Sequence, residues 1–402
     1  MKKILTILLC FLSLSASATN YYVKNGGNDA LAGTSDANAW ETITKVNAVW
    51  NAGTFAPGDS ILFNRGDEWT GVTLTVKESG TSGHPIVVSA YGSGAKPIIS
   101  GFTILSSWTD EGGSVYSASL TSSLTNMVLV DGVQVAMGRY PDAGTNLSYN
   151  NHSGTTSITD AGLGDTPNWA GAEAVINKND WSLDRCLITD HTGDVLTYTN
   201  LGGSDEPENN RYYFIQNDLR CVTATNEWYH DGSKFYIYGN PAAKTVQVAS
   251  LNYLISNNGY DYIEIHNLDL HGSISHAVYF NYYSDNCKVN DCNISYAGLN
   301  GIHFYGVNGV IDSDTIRYCN WAGIFKEAST TGSTITNNYI SDIGLLAGQA
   351  YWGAYSVGIY STDRGGLLVQ YNNIHRTGWS GVYITSATAG TIKNNFITYA
   401  VQ

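Results

Sequence analysis

Charge is what this 402-residue sequence has least of: Asp, Glu, Lys and Arg make up 13% of it, about half the share in an average chain. Basic residues are the scarcer kind, 20 against 34 acidic ones, for a formal charge of −14. Binding to nucleic acid needs a basic face against the phosphates, so this composition argues against that partner class. Long apolar runs are missing as well. After Leu14 no stretch approaches the ~20 residues that span a bilayer. The six cysteines show no paired spacing and so describe no disulfide framework. Cys186, Cys221, Cys287, Cys292 and Cys319 read instead as small buried hydrophobes. What abounds is Gly (43), Tyr (28) and Trp (10), with 43% hydrophobic residues, too apolar for a disordered chain. An ordinary core stops growing at roughly 250–300 residues. A chain of this length either divides into domains or grows along one axis as a solenoid.

The N-terminus carries an export signal. Lys2 and Lys3 precede the apolar stretch Ile4 to Leu14, and Ala16 and Ala18 stand at the −3 and −1 positions of a cleavage site. Residues 1–18 are therefore expected to be a signal peptide and the mature protein to be secreted, periplasmic or extracellular. Cleavage removes two lysines and Cys10, leaving a more acidic chain with an odd number of cysteines.

From residue 265 one pattern recurs: apolar, any, polar, any, any, apolar. It runs Ile265–Leu270, Val289–Ile294, Ile311–Ile316, Ile335–Ile340, Val369–Ile374 and Ile392–Ile397, at spacings of 22–24 residues with one of 34. A small residue followed by a β-branched one comes next in each of the first five: Ala277-Val278, Gly301-Ile302, Gly323-Ile324, Gly358-Ile359 and Gly381-Val382. The long spacing has one local cause, an insertion at 345–355. A period near 23 is too short for a βαβ unit, and the leucine-rich signature is absent. The pattern predicts an all-β chain built as a parallel β-helix, whose stacked coils bury a continuous apolar column. Asn-rich turns (Asn337-Asn338, Asn372-Asn373, Asn394-Asn395) suit left-handed backbone geometry and stacked amide ladders.

Residues 19–101 read as the opening of the same solenoid. Ile43, Val46, Val49 and Trp50 form one face of a helix that covers its open end. Residues 102–250 lose the repeat and are expected to form a β-rich insertion, with a hairpin signal at Val128–Val133. Residues 251–402 hold the remaining coils. The sequence stops at Val401-Gln402 just after a coil's first marker, so a C-terminal truncation is expected, with part of the site beyond it. Tyr21-Tyr22-Val23 through Gly33-Thr34, Pro57-Gly58-Asp59 and the coils after 262 together resemble secreted bacterial right-handed parallel β-helix proteins of the pectate-lyase-like superfamily. Asp131-Gly132-Val133 with Ala136–Pro141, and Tyr213–Asn217 with Glu227-Trp228-Tyr229, resemble an insertion found in its polysaccharide-degrading members. The resemblance implies the fold and a polysaccharide substrate. It does not choose a reaction, because the superfamily holds lyases, hydrolases, epimerases and non-catalytic adhesins.

Equivalent positions of successive coils lie about 4.8 Å apart, so the aligned repeats define columns. Tyr279, His303, Phe325, Tyr360 and Tyr383 follow the second marker and are expected to face outward. They serve either as a platform for sugar rings or as stacking that stabilises the sheet. Trp321 and Trp379 form a second aromatic pair. Glycoside hydrolysis uses two carboxyl groups, roughly 5 Å apart for retention or about 6.5–9.5 Å for inversion. Glu327 and Asp363, on neighbouring coils, are the candidate acid and base or nucleophile, against the alternative of a salt-bridged turn. Lys326 interrupts an otherwise apolar column. Asp342 and Arg376 share a column as an ion pair, or else Arg376 joins His375 and Lys326 in neutralising a uronate for β-elimination, with Ca²⁺ as an optional helper. His266, His271, His276 and His303 show no metal-ligand spacing. The insertion at 345–355, rich in aromatics, suits a loop over a cleft. The expectation is a monomeric glycoside hydrolase that needs no cofactor, with Glu327 and Asp363 catalytic and His303, Lys326, Tyr360, Trp379, Tyr383 and Arg376 binding substrate. A polysaccharide lyase and a non-catalytic glycan-binding solenoid are the alternatives.

Overall fold

The computed structural model describes residues 18–123, 125–203, 205–327, 332–350, 356–363, 365–385 and 389–400. The signal-peptide reading falls on residues outside this set except for Ala18.

Three parallel sheets run the length of the spiral. Nine strands, from Asn20–Val23 to Gly390–Lys393, make the first, and eight, from Glu68–Thr70 to Phe396–Ala400, make the second. The third has seven: Leu74–Val76, Tyr253–Asn258, His276–Asn281, Ile302–Tyr305, Ala322–Glu327, Val357–Ser361 and Ser380–Ile384. Each complete coil contributes one strand to each sheet; the first adds a strand to the first sheet alone, and the last adds strands to the first two. The register aligns Ile302, Ile324, Ile359 and Val382, one above another. Their side chains join Phe280, Phe304, Ile316 and Ile340 in a single apolar core that extends from Val23 to Ile374.

The two sequence markers are the corners of the spiral. Each polar residue of the first marker stands where the chain turns from the first sheet to the second, and each has a left-handed backbone: Asn267, Asp291, Ser313, Asn337, Tyr371 and Asn394, with φ between 52° and 61°. Asn and Asp tolerate that conformation best among residues with a side chain. The residue after it faces inward and builds a ladder. Asp314 Oδ1 accepts the N–H of Cys292 (2.7 Å), Asn338 that of Asp314 (2.9 Å), Asn372 that of Asn338 (3.0 Å) and Asn395 that of Asn372 (2.9 Å). The small residue of the second marker sits where second and third sheets meet. A Cβ on Gly323 would stand 2.6 Å from Ile340 Cγ2 and 2.7 Å from the Gly358 carbonyl oxygen, so no larger residue fits.

At the N-terminal end, Ile43–Asn51 is an α-helix whose Thr42 cap accepts the Lys45 N–H. It buries Ile43, Val46 and Trp50 against the first coil. The chain then leaves the spiral after Ile98–Ser100 and returns at Tyr253–Asn258. The interruption does not break the stack, because Ile86–Tyr91 pairs directly with Ile263–His266 and Ile98–Ser100 with Asp269–Ser273. Between lie three antiparallel sheets with their own cores. The hairpin Val128–Val130/Val133–Gln134 turns through Asp131 and Gly132, both at positive φ. Cys186, Cys221, Cys287, Cys292 and Cys319 are buried and unpaired. Burial pushes the Cys186, Cys221, Cys287 and Cys319 thiols up to about 12. No helix among the described residues is long and apolar enough to cross a membrane.

Candidate functional site

The outer face of the third sheet carries the predicted aromatic column. Tyr279, His303, Phe325, Tyr360 and Tyr383 stand in register on five successive coils. Their ring centroids are separated by 5.1, 4.8, 4.9 and 5.5 Å in turn. Phe325 and Tyr360 belong to a cluster with Trp321 and Val357, separate from the core, and Trp379 and Tyr383 pack against it. The column is therefore external, as strand alternation demands, although Tyr360 is only 8% exposed. Trp379 lies edge-on to Tyr383 at 4.9 Å.

Glu327 ends its strand on this face with its side chain 42% exposed, and His303 Nε2 donates to its Oε2 at 2.8 Å. That hydrogen bond holds the Glu327 carboxyl below the usual carboxylate range, outweighing the desolvation that would raise it. The group is thus ionised at neutral pH and suited to accept a proton or attack a carbon. Next to His303, at 4.7 Å, lies His276, whose burial keeps its imidazole neutral. Tyr305 pairs with Glu327 across the strands, and its hydrogen bond with Tyr283 pushes its phenol up to about 12.

Three predicted site residues stand elsewhere. Asp363 does not join Glu327 on the outer face. It is wholly buried and faces Lys326, also wholly buried, with Nζ–Oδ2 at 3.8 Å. Lys326 follows the alternation that turns Phe325 outward, and so occupies the inward column of Phe304 and Ser361. Its ammonium donates to the Glu327 carbonyl at 2.9 Å and lies 5.5 Å from the centre of the Phe304 ring. Burial pushes that ammonium down to about 8, with Asp363 pulling in the opposite direction. Lys326 therefore does not line a substrate face. Arg376 belongs to the second sheet, where it pairs with Asp342, a nearly buried carboxylate that also meets Arg317 at 3.5 Å. His375, on the same strand, bonds Thr398 at 2.6 Å.

The loop read as a lid over a cleft is held by the inserted domain, as far as it is described (residues 345–350; 351–355 lie outside the described residues). Gln216 Nε2 donates to the Gly348 carbonyl at 2.8 Å, and Asn126 Nδ2 and Arg185 Nη1 donate to the Gln349 carbonyl at 2.6 and 3.4 Å. Arg185 is itself fixed by a buried ion pair with Glu173 at 2.8 Å. Beside this contact a groove of about 360 Å³ opens between the inserted domain and the spiral. Sequence reading anticipated one wall, the inserted loop from Leu345 and Trp379, but missed the other, the turn at Trp181, because the two walls come from segments about 170 residues apart that share no period. Among the described residues no three His, Cys, Asp or Glu side chains converge as a metal site would require.

Residues 253–401 match the family described as right handed beta helix region. A stretch of 89 residues, 21% of this chain, is 42% identical to the lacto-N-biosidase of Bifidobacterium longum subsp. longum, of which it spans 5%. A solved structure described as a glycoside hydrolase superposes with a TM-score of 0.55 at 12% identity, covering 94% of this chain and 96% of that one. The complex of XylC with xylose superposes with a TM-score of 0.57 at 14% identity, covering 94% of this chain and 62% of that one. With three parallel sheets in one uninterrupted stack, the chain folds as a right-handed parallel β-helix.

Proposed function

We propose that the protein is a secreted polysaccharide-degrading enzyme, a glycoside hydrolase working on the outer face of the third sheet. The observation that carries this reading is Glu327, an ionised, half-exposed carboxylate oriented by His303 beside the middle of a ladder of aromatic rings. Sugar C–H groups pack on Tyr279 and Tyr383, the partly exposed ends of the column, while Phe325 and Tyr360 are buried against each other between them, which places the glycan along the sheet. Glu327 then attacks the anomeric carbon or takes the proton of an attacking water, meeting the positive charge that develops in an oxocarbenium-like transition state. Its lowered pKa suits those roles and not that of proton donor. The second carboxyl group of such a mechanism is not Asp363, which is sealed inside the spiral. The named activities of the relative and of the structural neighbours support a carbohydrate substrate, and the N-terminal signal pattern supports export.

β-Elimination on a uronate polymer is the weaker reading. Its cationic trio is dispersed: Lys326 is buried, Arg376 is tied to Asp342, and His375 bonds Thr398 on the second sheet. Digesting a panel of neutral and acidic glycans with the mature protein tests the proposal. New reducing ends without unsaturated, ultraviolet-absorbing ends support hydrolysis. Unsaturated ends mean elimination, and binding without release means a non-catalytic module. Either of the last two outcomes sinks the hydrolase reading.

A further inference from the structure

We infer that Tyr282, Tyr283 and Tyr305 form a subsite for a neutral sugar unit of the substrate, beside Glu327 and on its N-terminal side along the stack. The outer face of the third sheet divides at the coil of Glu327. From Trp321 and Phe325 to Val357 and Tyr360 it is covered, and these side chains are buried in one cluster with Ala350 of the inserted loop. The coils before it are open: Asn258, Tyr279, Asn281 and Tyr305 all keep solvent access. Tyr305 stands beside Glu327 in register, about 4.8 Å away along the stack. It turns outward because Phe304, before it, lies in the core. Tyr282 and Tyr283 follow the strand His276–Asn281 and are 66% and 61% exposed. The Tyr283 ring centre lies 4.6 Å from that of Tyr305, and their hydroxyls are hydrogen-bonded.

The turn that carries the two exposed rings is tied to the coils on both sides. Ser284, which follows Tyr283, donates from Oγ to the Asn281 carbonyl at 2.7 Å and accepts the Gly259 N–H at 3.3 Å. Its own N–H donates to the Tyr305 carbonyl at 3.0 Å. The aromatic surface is therefore preformed, which lowers the cost of seating a ligand on it. Exposed aromatic surface rimmed by polar groups marks a binding site, and continuity with Glu327 says for what. A protein seated on Tyr305 would cover the carboxylate next to it, whereas a sugar seated there is presented to it. Tyrosine suits that occupant, since its ring packs on C–H groups and its hydroxyl reaches the sugar's own. Burial pushes the Tyr279 phenol up to about 12, and the hydrogen bond with Tyr283 does the same for Tyr305, so both keep their protons to donate. Charge selects the class of sugar. The phenols are neutral and the charge they adjoin is the negative one of Glu327, which repels a uronate at contact distance.

This inference rests on the glycan hydrolase reading, and the test keeps the two failures apart. The full chain carrying Glu327→Gln is titrated calorimetrically with xylo-, gluco- and N-acetylhexosamine-containing oligosaccharides and with an oligouronate, and turnover of each is measured in parallel. A neutral oligosaccharide is expected to bind. On the same background Tyr305→Ala should weaken it about tenfold and Tyr283→Ala about fivefold. Tyr305→Phe and Tyr283→Phe, which keep the ring, should hold most of the affinity. Tyr371→Ala, which removes a tyrosine 55% exposed on a corner between the other two sheets, should change nothing. Thermal melts check that each variant is folded. Affinity unchanged in both Tyr305→Ala and Tyr283→Ala, preference for the oligouronate, or no neutral binding at millimolar concentration would each overturn the subsite. So would self-association of the parent chain that the tyrosine variants abolish, since it makes the surface a protein interface. Cleavage retained by Glu327→Gln with the tyrosine effects intact removes only the catalytic reading.

Discussion

The strand Ala322–Glu327 holds two charged side chains in adjacent positions, and they meet opposite surroundings. Lys326 turns into the spiral, is fully buried, and meets Asp363 of the next coil and the Phe304 ring of the previous one. Glu327 turns out, stays half-exposed, and takes a directed hydrogen bond from His303. An inward charge in a solenoid is held by a partner one coil away, so it serves the fold. An outward charge aligned by its neighbour keeps access to solvent and substrate. The contrast gives one face of the sheet to structure and, on the function proposed above, the other to chemistry.

On stability, the largest effect should come from breaking the inner pair. Asp363→Asn leaves the Lys326 ammonium buried without its counter-charge and is expected to cost about 3–5 kcal/mol, read by denaturant unfolding. Lys326→Met combined with Asp363→Leu should recover most of that loss, since a packed apolar pair replaces the ions. A pH series sharpens the same point. Folded Lys326 loses its proton near pH 8 and the unfolded chain only near the ordinary lysine value of 10.5. Between those values the unfolded state binds more protons, so this group makes stability rise with pH. Lys326→Met should flatten that rise. The smallest effect lies in the interior ladder. Burial holds the Asp314 carboxyl well above its usual range, and its Oδ2 has no partner among the described residues. The amides above it donate to carbonyl oxygens of the preceding coil, Asn338 to Ile311 and Asn372 to Ile335. Asp314→Asn should extend that pattern and stabilise by about 1 kcal/mol. It should also remove a loss of stability as pH rises above the usual carboxylate range, where only the unfolded chain ionises.

Much of the fold was legible because each marker answers a local steric demand repeated on every coil. A left-handed corner wants Asn or Asp, and the approach of Gly323 to the Gly358 carbonyl admits only a small residue. Alternation also placed His303 and Tyr360 on the outer face. It also put Lys326 in the apolar column of Phe304, an inward position that the substrate-binding reading overrode. Asp363 was misplaced because it lies beyond the end of its strand at Ser361, where alternation no longer dictates direction. The clamp of Arg185, Asn126 and Gln349 was illegible for another reason: its members are up to 223 residues apart, and no period relates them.

Turnover by Glu327→Gln, on a glycan that the parent protein cleaves and beside its melting temperature, tests the division between the two faces most directly. The account predicts a loss on the order of 10³-fold with the melting temperature held within about 2 °C. A Glu327→Gln protein that turns over at the parental rate would contradict it.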